Sequence, residues 1–531
     1  MIFTLQRYIF RELLKIFILS LVALTVIMSF GIMLKPFQEY GVGPKQALHL
    51  IGYFMPITLT FVTPMAALFA SSLVYGRFAS DNELDACRAS GVSMLTLVYP
   101  GLTLALVVSI STLLLNFYVT PAFVLRAEQS LKSNAQQILF RNLQRKGYYE
   151  LPPDEKYRIY ADNADMQSGW LLGVIVAETD VLGIERLIVA EKARISFNPH
   201  KGLNEVQIKA FNTYQMGVGD QGDFFVEVLP LKTEFGRLMS DSIKFKKIDQ
   251  IKKIQENPLE FEPIEEKAME ICRRLSAESL GDDIRNKIRS KENSSYMLYS
   301  GTKVVEFTAD NCVVTEKENL ELTGNVVQVE YDVQKKKILR TATCQKAVLY
   351  FEGDQIWETT LTLELQNARW EQQDGSKGLA GRIKTGGLIY PQNLCKFDRN
   401  NLLSDIQKTL SERPHISSKL NDMQNGLSLE IKKIFLEIQA ETHFRLVFGI
   451  GCVPLILIGI GLGIIKRGGH LLSAFGASSL PAVILIVCIM MGKNLIKSHE
   501  AKPLLGIALM WSGVFILFIL ASAIYRKLLR N

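Results

Sequence analysis

A membrane α-helical protein of six spans, arranged three plus three around a large inserted all-β domain, is the fold class this sequence predicts. Three observations carry that prediction. Hydrophobic residues make up 48% of the 531-residue chain although 21% of it is charged, and the mean hydropathy is +0.15. Long uncharged apolar runs gather at the two ends. Between them, residues 121–442 are polar and carry short segments that alternate with period two.

The apolar runs are Ile16–Leu34, Leu50–Tyr75 and Met94–Val119, then Leu446–Ile465, Leu471–Gly492 and Leu504–Tyr525. Each is long enough to cross a hydrocarbon core of ~30 Å. The first exceeds the apolar stretch of a secretory signal, and no small-residue cleavage site follows it, so it reads as a retained span. Basic residues set the orientation. With the N-terminus inside, the inner segments carry Arg7, Arg11, Lys15, Arg77, Arg88, Lys466, Arg467, Arg526, Lys527 and Arg530. The outer loops carry only Lys35, Lys45, Lys493, Lys497 and Lys502. Both termini are then cytoplasmic, and the inserted domain is exported.

Within residues 121–442, YRIYA, GVIVAE, RLIVAEKARISF, EVQIKAF and FFVEVLPL alternate and are separated by turn residues. LELTGNVVQVEY, TATCQKAVLYF and TLTLELQNARW form a second set. Such spacing predicts an antiparallel sandwich or roll. A charged stretch at 244–293, poor in β-branched runs, predicts helices between the two sets. Cys272, Cys312, Cys344 and Cys395 lie in the exported part, where disulfides are permitted, but the spacing assigns no pairing.

The segment SDNELDACRASGVS, between the second and third runs, predicts a short inner-side helix over residues 80–91. Ser80 and Glu83 fit a capping box, Asp81, Glu83 and Asp85 suit a helix N-terminus, and Gly91 suits a left-handed C-cap.

Enzyme signatures are absent. There is no phosphate-binding loop, no H-E-x-x-H and no G-x-S-x-G, so no catalytic residue, metal site or cofactor is expected. The six histidines are scattered, and His443 reads as a neutral interfacial residue. A net charge of +7 is modest and calls for no nucleic-acid partner. The spans hold few ionisable residues, which argues against a proton or ion relay. Gly459 and Gly463, four apart within a span, suit close helix packing.

Several segments together resemble the lipopolysaccharide-export permease family of the LptF/LptG type (YjgP/YjgQ family). They are RYIFREL, VTPMAALFASSLVYGRFASDNELDACRASGVSM, IYADNADMQSGWLLGVIVAETD, RLIVAEKARISF and ETHFRLVFGIGCVPLILIGIGLGI. The resemblance implies a multi-pass protein of the bacterial inner membrane. Residues 1–120 and 443–531 would be its membrane halves, and 121–442 a periplasmic domain of jelly-roll type. It implies a second six-span permease of the same family, a cytoplasmic ABC ATPase dimer, and a periplasmic bridge protein that receives lipopolysaccharide. The permease itself would hydrolyse nothing.

The resemblance also assigns residues. Glu83 matches a glutamate that pairs with a basic residue of the ATPase. Asp81, Asp85, Arg88 and Gly91 complete that helix, with Leu84 and Cys87 supplying an apolar contact. Lys35, at the outer end of the first span, would meet lipid phosphates; the alternative is an ordinary snorkelling lysine. Acyl chains would lie along the apolar face of the first sheet, at Ile188 and Ala190 or Val206 and Ile208, with the inward parity open. A buried structural face is the competing reading. The middle region is longer than the family's usual domain, so the 244–293 insert and second strand set read as an added lobe. Two other functions fit the same residues: a permease for another envelope amphiphile (lipoprotein or glycolipid), or a membrane-anchored scaffold.

Overall fold

Among the described residues, six helices are long and apolar enough to cross a membrane, and each holds most or all of one of the six runs read from the sequence. In the computed structural model they are α1 (Ile2–Glu39), α2 (Pro44–Ser80), α4 (Met94–Leu114), α10 (Ser418–Ile465), α11 (Leu471–Lys497) and α12 (Pro503–Arg530). A seven-residue helix, α3 (Glu83–Ala89), joins α2 to α4. The structure describes all residues except 1, 40–43, 134, 151–156, 167, 181–182, 201–202, 218–223, 236–241, 290–294, 302, 316–317, 333–336, 353–359, 374, 392–393, 396, 399–400, 413–417, 466–470, 499–502 and 531. The chain divides into two compact units, Met1–Gln255 with Lys433–Asn531, and Glu256–Lys432.

In the first unit the two membrane halves share a core. Val74, Tyr75, Phe78, Leu97 and Leu104 pack with Cys452, Ile456 and Ile460. Small residues bring α10 and α2 together at backbone distance. A Cβ on Gly463 would lie 2.6 Å from the Ser72 carbonyl oxygen, and one on Gly459 would lie 2.7 Å from Ser71 Oγ. In lipid, such close packing replaces the hydrophobic drive that water supplies elsewhere. Helix α4 ends in a π-turn (Leu115–Val119) and continues as α5 (Thr120–Ser133) and α6 (Ala135–Lys146).

Six antiparallel strands follow in sequential order: β1 (Tyr148–Glu150), β2 (Tyr157–Asp165), β3 (Trp170–Asp180), β4 (Gly183–His200), β5 (Leu203–Gly217) and β6 (Phe224–Phe235). Their inner face packs Ile159, Val174, Val176, Ile188, Ala190 and Ile208 against Ile138, Leu139, Phe140 and Leu143 of α6. Strict alternation fails along one line across four strands, where Asp162–Asn163, Leu172–Gly173, Glu191–Lys192 and Phe211–Asn212 all turn away from the core. Gly173 (φ 58) and Asn212 (φ 50) adopt the left-handed conformation on that line. A Cβ on Gly173 would fall 2.0 Å from Asp162 Oδ2. The kink lets Ile188 and Ala190 on one side, and Ala193 and Ile195 on the other, face the same core.

In the second unit the charged stretch forms helices, as expected, chiefly α8 (Glu262–Arg289); α7 (Ile248–Glu256) precedes it at the end of the first unit. Strands β7 (Tyr296–Ser300), β8 (Lys303–Thr308), β9 (Asn311–Val314), β10 (Leu320–Asp332), β11 (Ile338–Glu352), β12 (Thr360–Gln372) and β13 (Lys377–Ile389) follow, then α9 (Leu402–Glu412). Strand β8 pairs with β7 and β10, β10 with β11, and β13 returns to β7 through Leu388↔Ser300 and Ile389↔Tyr299. The strands therefore form a closed barrel, with β9 paired to β10 outside the ring. Leu298, Phe307, Ala347, Leu349, Leu363 and Leu365 fill it, together with Leu280 and Ile284 of α8. At one end Glu330 accepts hydrogen bonds from Arg340, from Thr385 Oγ1 at 2.9 Å and from Gln328 Nε2 at 2.9 Å. Burial pulls the Glu330 pKa up, but Arg340, Thr385 and Lys303 outweigh it and hold the carboxyl below its ordinary value. All seven cysteines are free thiols.

Candidate functional site: a short helix between spans and a charged junction

Helix α2 runs through Tyr75, Phe78 and Ala79, all buried, and ends only at Ser80. Ser80 is therefore inside α2 and does not cap α3. The N-cap is Asn82, left-handed at φ 57, with no side-chain capping bond. This overturns the capping box, and the α3 start moves from residue 80 to Glu83. The C-terminal expectation stands. Gly91 has φ 83; its N–H donates to the Arg88 carbonyl at 2.9 Å, and that of Val92 to Cys87 at 3.1 Å. That 5→2 and 6→1 pair is a Schellman motif.

Leu84 is 3% exposed and packs in the bundle core with Phe78, Ala79, Met94 and Ile464. It anchors α3 from below and offers no outward apolar contact; Cys87 is half-buried beside the same core. Asp81, Glu83 and Arg88 are exposed and Asp85 is half-buried. With the capping box gone, the Glu83 carboxylate has no hydrogen bond or ion pair among the described residues, and it sits on a rigidly seated helix. Beside α3 a cavity of about 440 Å³ is lined by Leu84, Asp85, Arg88, Met94, Ile464, Ile465, Lys527 and Leu528.

At the other end of the bundle lies a charged junction, set just before the apolar run Leu446–Ile465 and not at mid-span. Arg445 of α10 is 1% exposed. Its guanidinium donates to Glu441 Oε1 at 3.4 Å, to the Lys246 carbonyl at 3.1 Å and to the Lys244 carbonyl at 2.9 Å. It also sits 5.5 Å from the centre of the Phe117 ring, in the π-turn after α4. Glu441 accepts a second bond from Lys493 of α11 at 2.6 Å. Arg445 thus ties the segment that follows β6 to α10, and through Glu441 to α11. The signal was present in ETHFR, which places Glu441 and Arg445 one helical turn apart.

The remaining candidates fall as follows. Ile188, Ala190 and Ile208 are buried against α6, which settles the inward parity. The side chain of Val206 lies outside the described residues. Lys35 lies within α1, which runs on to Glu39 and does not end at Lys35; its side chain is also outside the described residues. Among the described residues no cluster of histidine, cysteine or carboxylate could hold a metal.

Residues 7–276, just over half of the chain, match the family described as "Lipopolysaccharide export system permease LptF/LptG". The chain belongs to that family. No curated protein sequence matches it closely enough to add to this. The LptF/LptG match takes in α1 to α7, the first sheet and α3, and ends inside α8. The barrel β7–β13 lies beyond it, as does the junction's α10 side.

Proposed function

We propose that this LptF/LptG chain is one transmembrane half of an ABC-type exporter. It would pair in the inner membrane with a second six-span permease of the family, and its termini would be cytoplasmic with a separate ATPase dimer. Its β region would be periplasmic, where the first sheet serves as the family's jelly roll. Lipopolysaccharide leaves the membrane and passes over that sheet to a bridge protein. The chain performs no hydrolysis itself.

The observation that carries this reading is Glu83. A helix held by Leu84 underneath and closed by a Schellman motif presents an unpaired carboxylate, the arrangement needed to transmit force to a basic groove on a partner. Lipid contact is proposed at Ile188, Ala190, Val206 and Ile208. Because α6 packs on that face, passage requires α6 to lift during turnover. Lys35 is proposed to meet lipid phosphate, so Lys35→Glu should reduce lipid crosslinking with expression unchanged.

The test is to purify the full chain with its co-expressed partners and identify what comes with it. A second six-span chain, an ATPase and lipopolysaccharide support the reading. A lipoprotein or another glycolipid in place of lipopolysaccharide would assign a different cargo. Recovery with envelope proteins but no ATPase would leave a scaffold.

A further inference from the structure

An exposed side of α12 carries a groove of about 790 Å³. Phe515, Phe518 and Ile519 wall it, and Ser522 and Ala523 leave a notch one turn further on. Arg526 and Lys527 close its end. Phe515 is 68% exposed and Ile519 55%, so the apolar wall has no covering among the described residues. From Phe515 to Arg526 the helix rises about 16 Å at ~1.5 Å per residue. That matches one leaflet, about half of a ~30 Å hydrocarbon core.

The two cations decide the occupant. Both are exposed, neither has an ion pair among the described residues, and no acid lines the groove. A second copy of this chain laid over the groove symmetrically would bring like charges together. A membrane amphiphile offers the matching order, an apolar tail followed by a negative head. Lys527 also lines the cavity beside α3, with Asp85 and Arg88, so the groove's charged end adjoins the short helix, and Arg526 is the cation that lines the groove alone.

We propose that this groove is a binding site for one anionic phospholipid of the leaflet on the α3 side. One acyl chain lies along Phe515–Ala523, and the phosphate sits between Arg526 and Lys527. The site is separate from the path proposed for the exported lipid, and it does not depend on which cargo the chain moves.

The test uses the full chain in detergent, with native mass spectrometry after addition of phosphatidylglycerol or phosphatidylcholine. Wild type should retain one phosphatidylglycerol and little phosphatidylcholine. Arg526→Gln with Lys527→Gln should lower phosphatidylglycerol retention by about tenfold or more, since each basic residue near an anionic surface contributes measurably to binding. Ala523→Leu, which fills the notch without changing charge, should lower it as well. Arg7→Gln with Arg11→Gln, exposed basic residues that do not line the groove, should leave it unchanged. Equal retention of the two lipids would overturn the proposal, as would an equal loss in the Arg7/Arg11 variant. Full retention in Ala523→Leu would do the same, and so would spontaneous disulfide-linked dimers of Ala523→Cys, which would place a second copy in the groove.

Discussion

The first sheet and the barrel begin from the same kind of sequence, sequential antiparallel strands with alternating apolar residues, and end as different objects. The sheet β1–β6 stays open. Among the described residues its end strand β6 pairs with β5 alone, and Phe225 on it is 65% exposed. A separate helix, α6, covers its inner face. The barrel closes on itself through two residue pairs between β13 and β7, and through the Glu330, Arg340 and Thr385 side chains at one end. Closure satisfies the edges, and the interior is filled by the strands' own leucines and phenylalanine together with Leu280 and Ile284 of α8. An open sheet keeps an edge that can accept another strand, and its inner face is covered by a helix that is not one of its strands. Under the proposed function, lipid passage falls to the sheet, and the barrel is an added lobe.

The largest expected effect is a contrast in lipid labelling. Photo-crosslinkers at Ile188 and Ala190 should capture lipid during ATP turnover, while those at Leu187 and Val189 should not, because successive side chains point to opposite faces. Crosslinkers at Phe307 and Leu363 inside the barrel should capture none. Equal labelling of both parities, or labelling inside the barrel, would erase the distinction.

The two regions also differ in how their buried charges are held, which stability measurements would sharpen. Arg445 is 1% exposed, whereas the Arg340 side chain is 24% exposed. Removing one partner from a fully buried pair costs about 3–5 kcal/mol, so Arg445→Met should lower the unfolding free energy by that amount. Arg340→Met should cost less, about 1–3 kcal/mol. Comparable losses would mean that burial at the junction is not what separates them.

A smaller effect concerns acid. The folded-state pKa of Glu330 is depressed, so its contribution to stability is present above the ordinary glutamate value of about 4.3. It is lost as pH falls through the depressed folded value. Melting temperature should therefore fall more steeply with acid in wild type than in Glu330→Gln. Parallel slopes would show that Glu330 is not ionised in the folded barrel.

Much of this architecture could be read from residues. Uncharged runs located all six spans, and Gly459 with Gly463 foretold the contact on α2. Gly91 foretold the C-cap. The misreading at Ser80 has a local cause: Phe78 and Ala79 are buried and carry α2 onward past the polar residues that resemble a start signal. Asparagine tolerates the left-handed conformation, which lets Asn82 make the break instead. The resemblance points Leu84 toward a partner, but the short α3 seats itself in the bundle through that residue, which is buried with Phe78, Ala79 and Met94. Barrel closure was not legible, since it rests on Leu388 and Ile389 meeting Tyr299 and Ser300, far apart in the chain. The partners of Arg445 were hidden for another reason: backbone carbonyls of Lys244 and Lys246 carry no side-chain signature.

The central claim is that Glu83 couples this chain to an ATPase by its charge. Glu83→Gln removes the charge and keeps the shape, and Glu83→Ala removes both. Since Ser80 lies inside α2 and Asn82 makes no capping bond, neither change should unseat α3. The decisive measurement is lipid release per ATP hydrolysed by the reconstituted complex carrying each variant. The account predicts that Glu83→Gln and Glu83→Ala fail to a similar degree, with the chain folded and inserted normally. Normal export by Glu83→Gln beside failure of Glu83→Ala would contradict it, because the side chain would then matter for shape and not for charge.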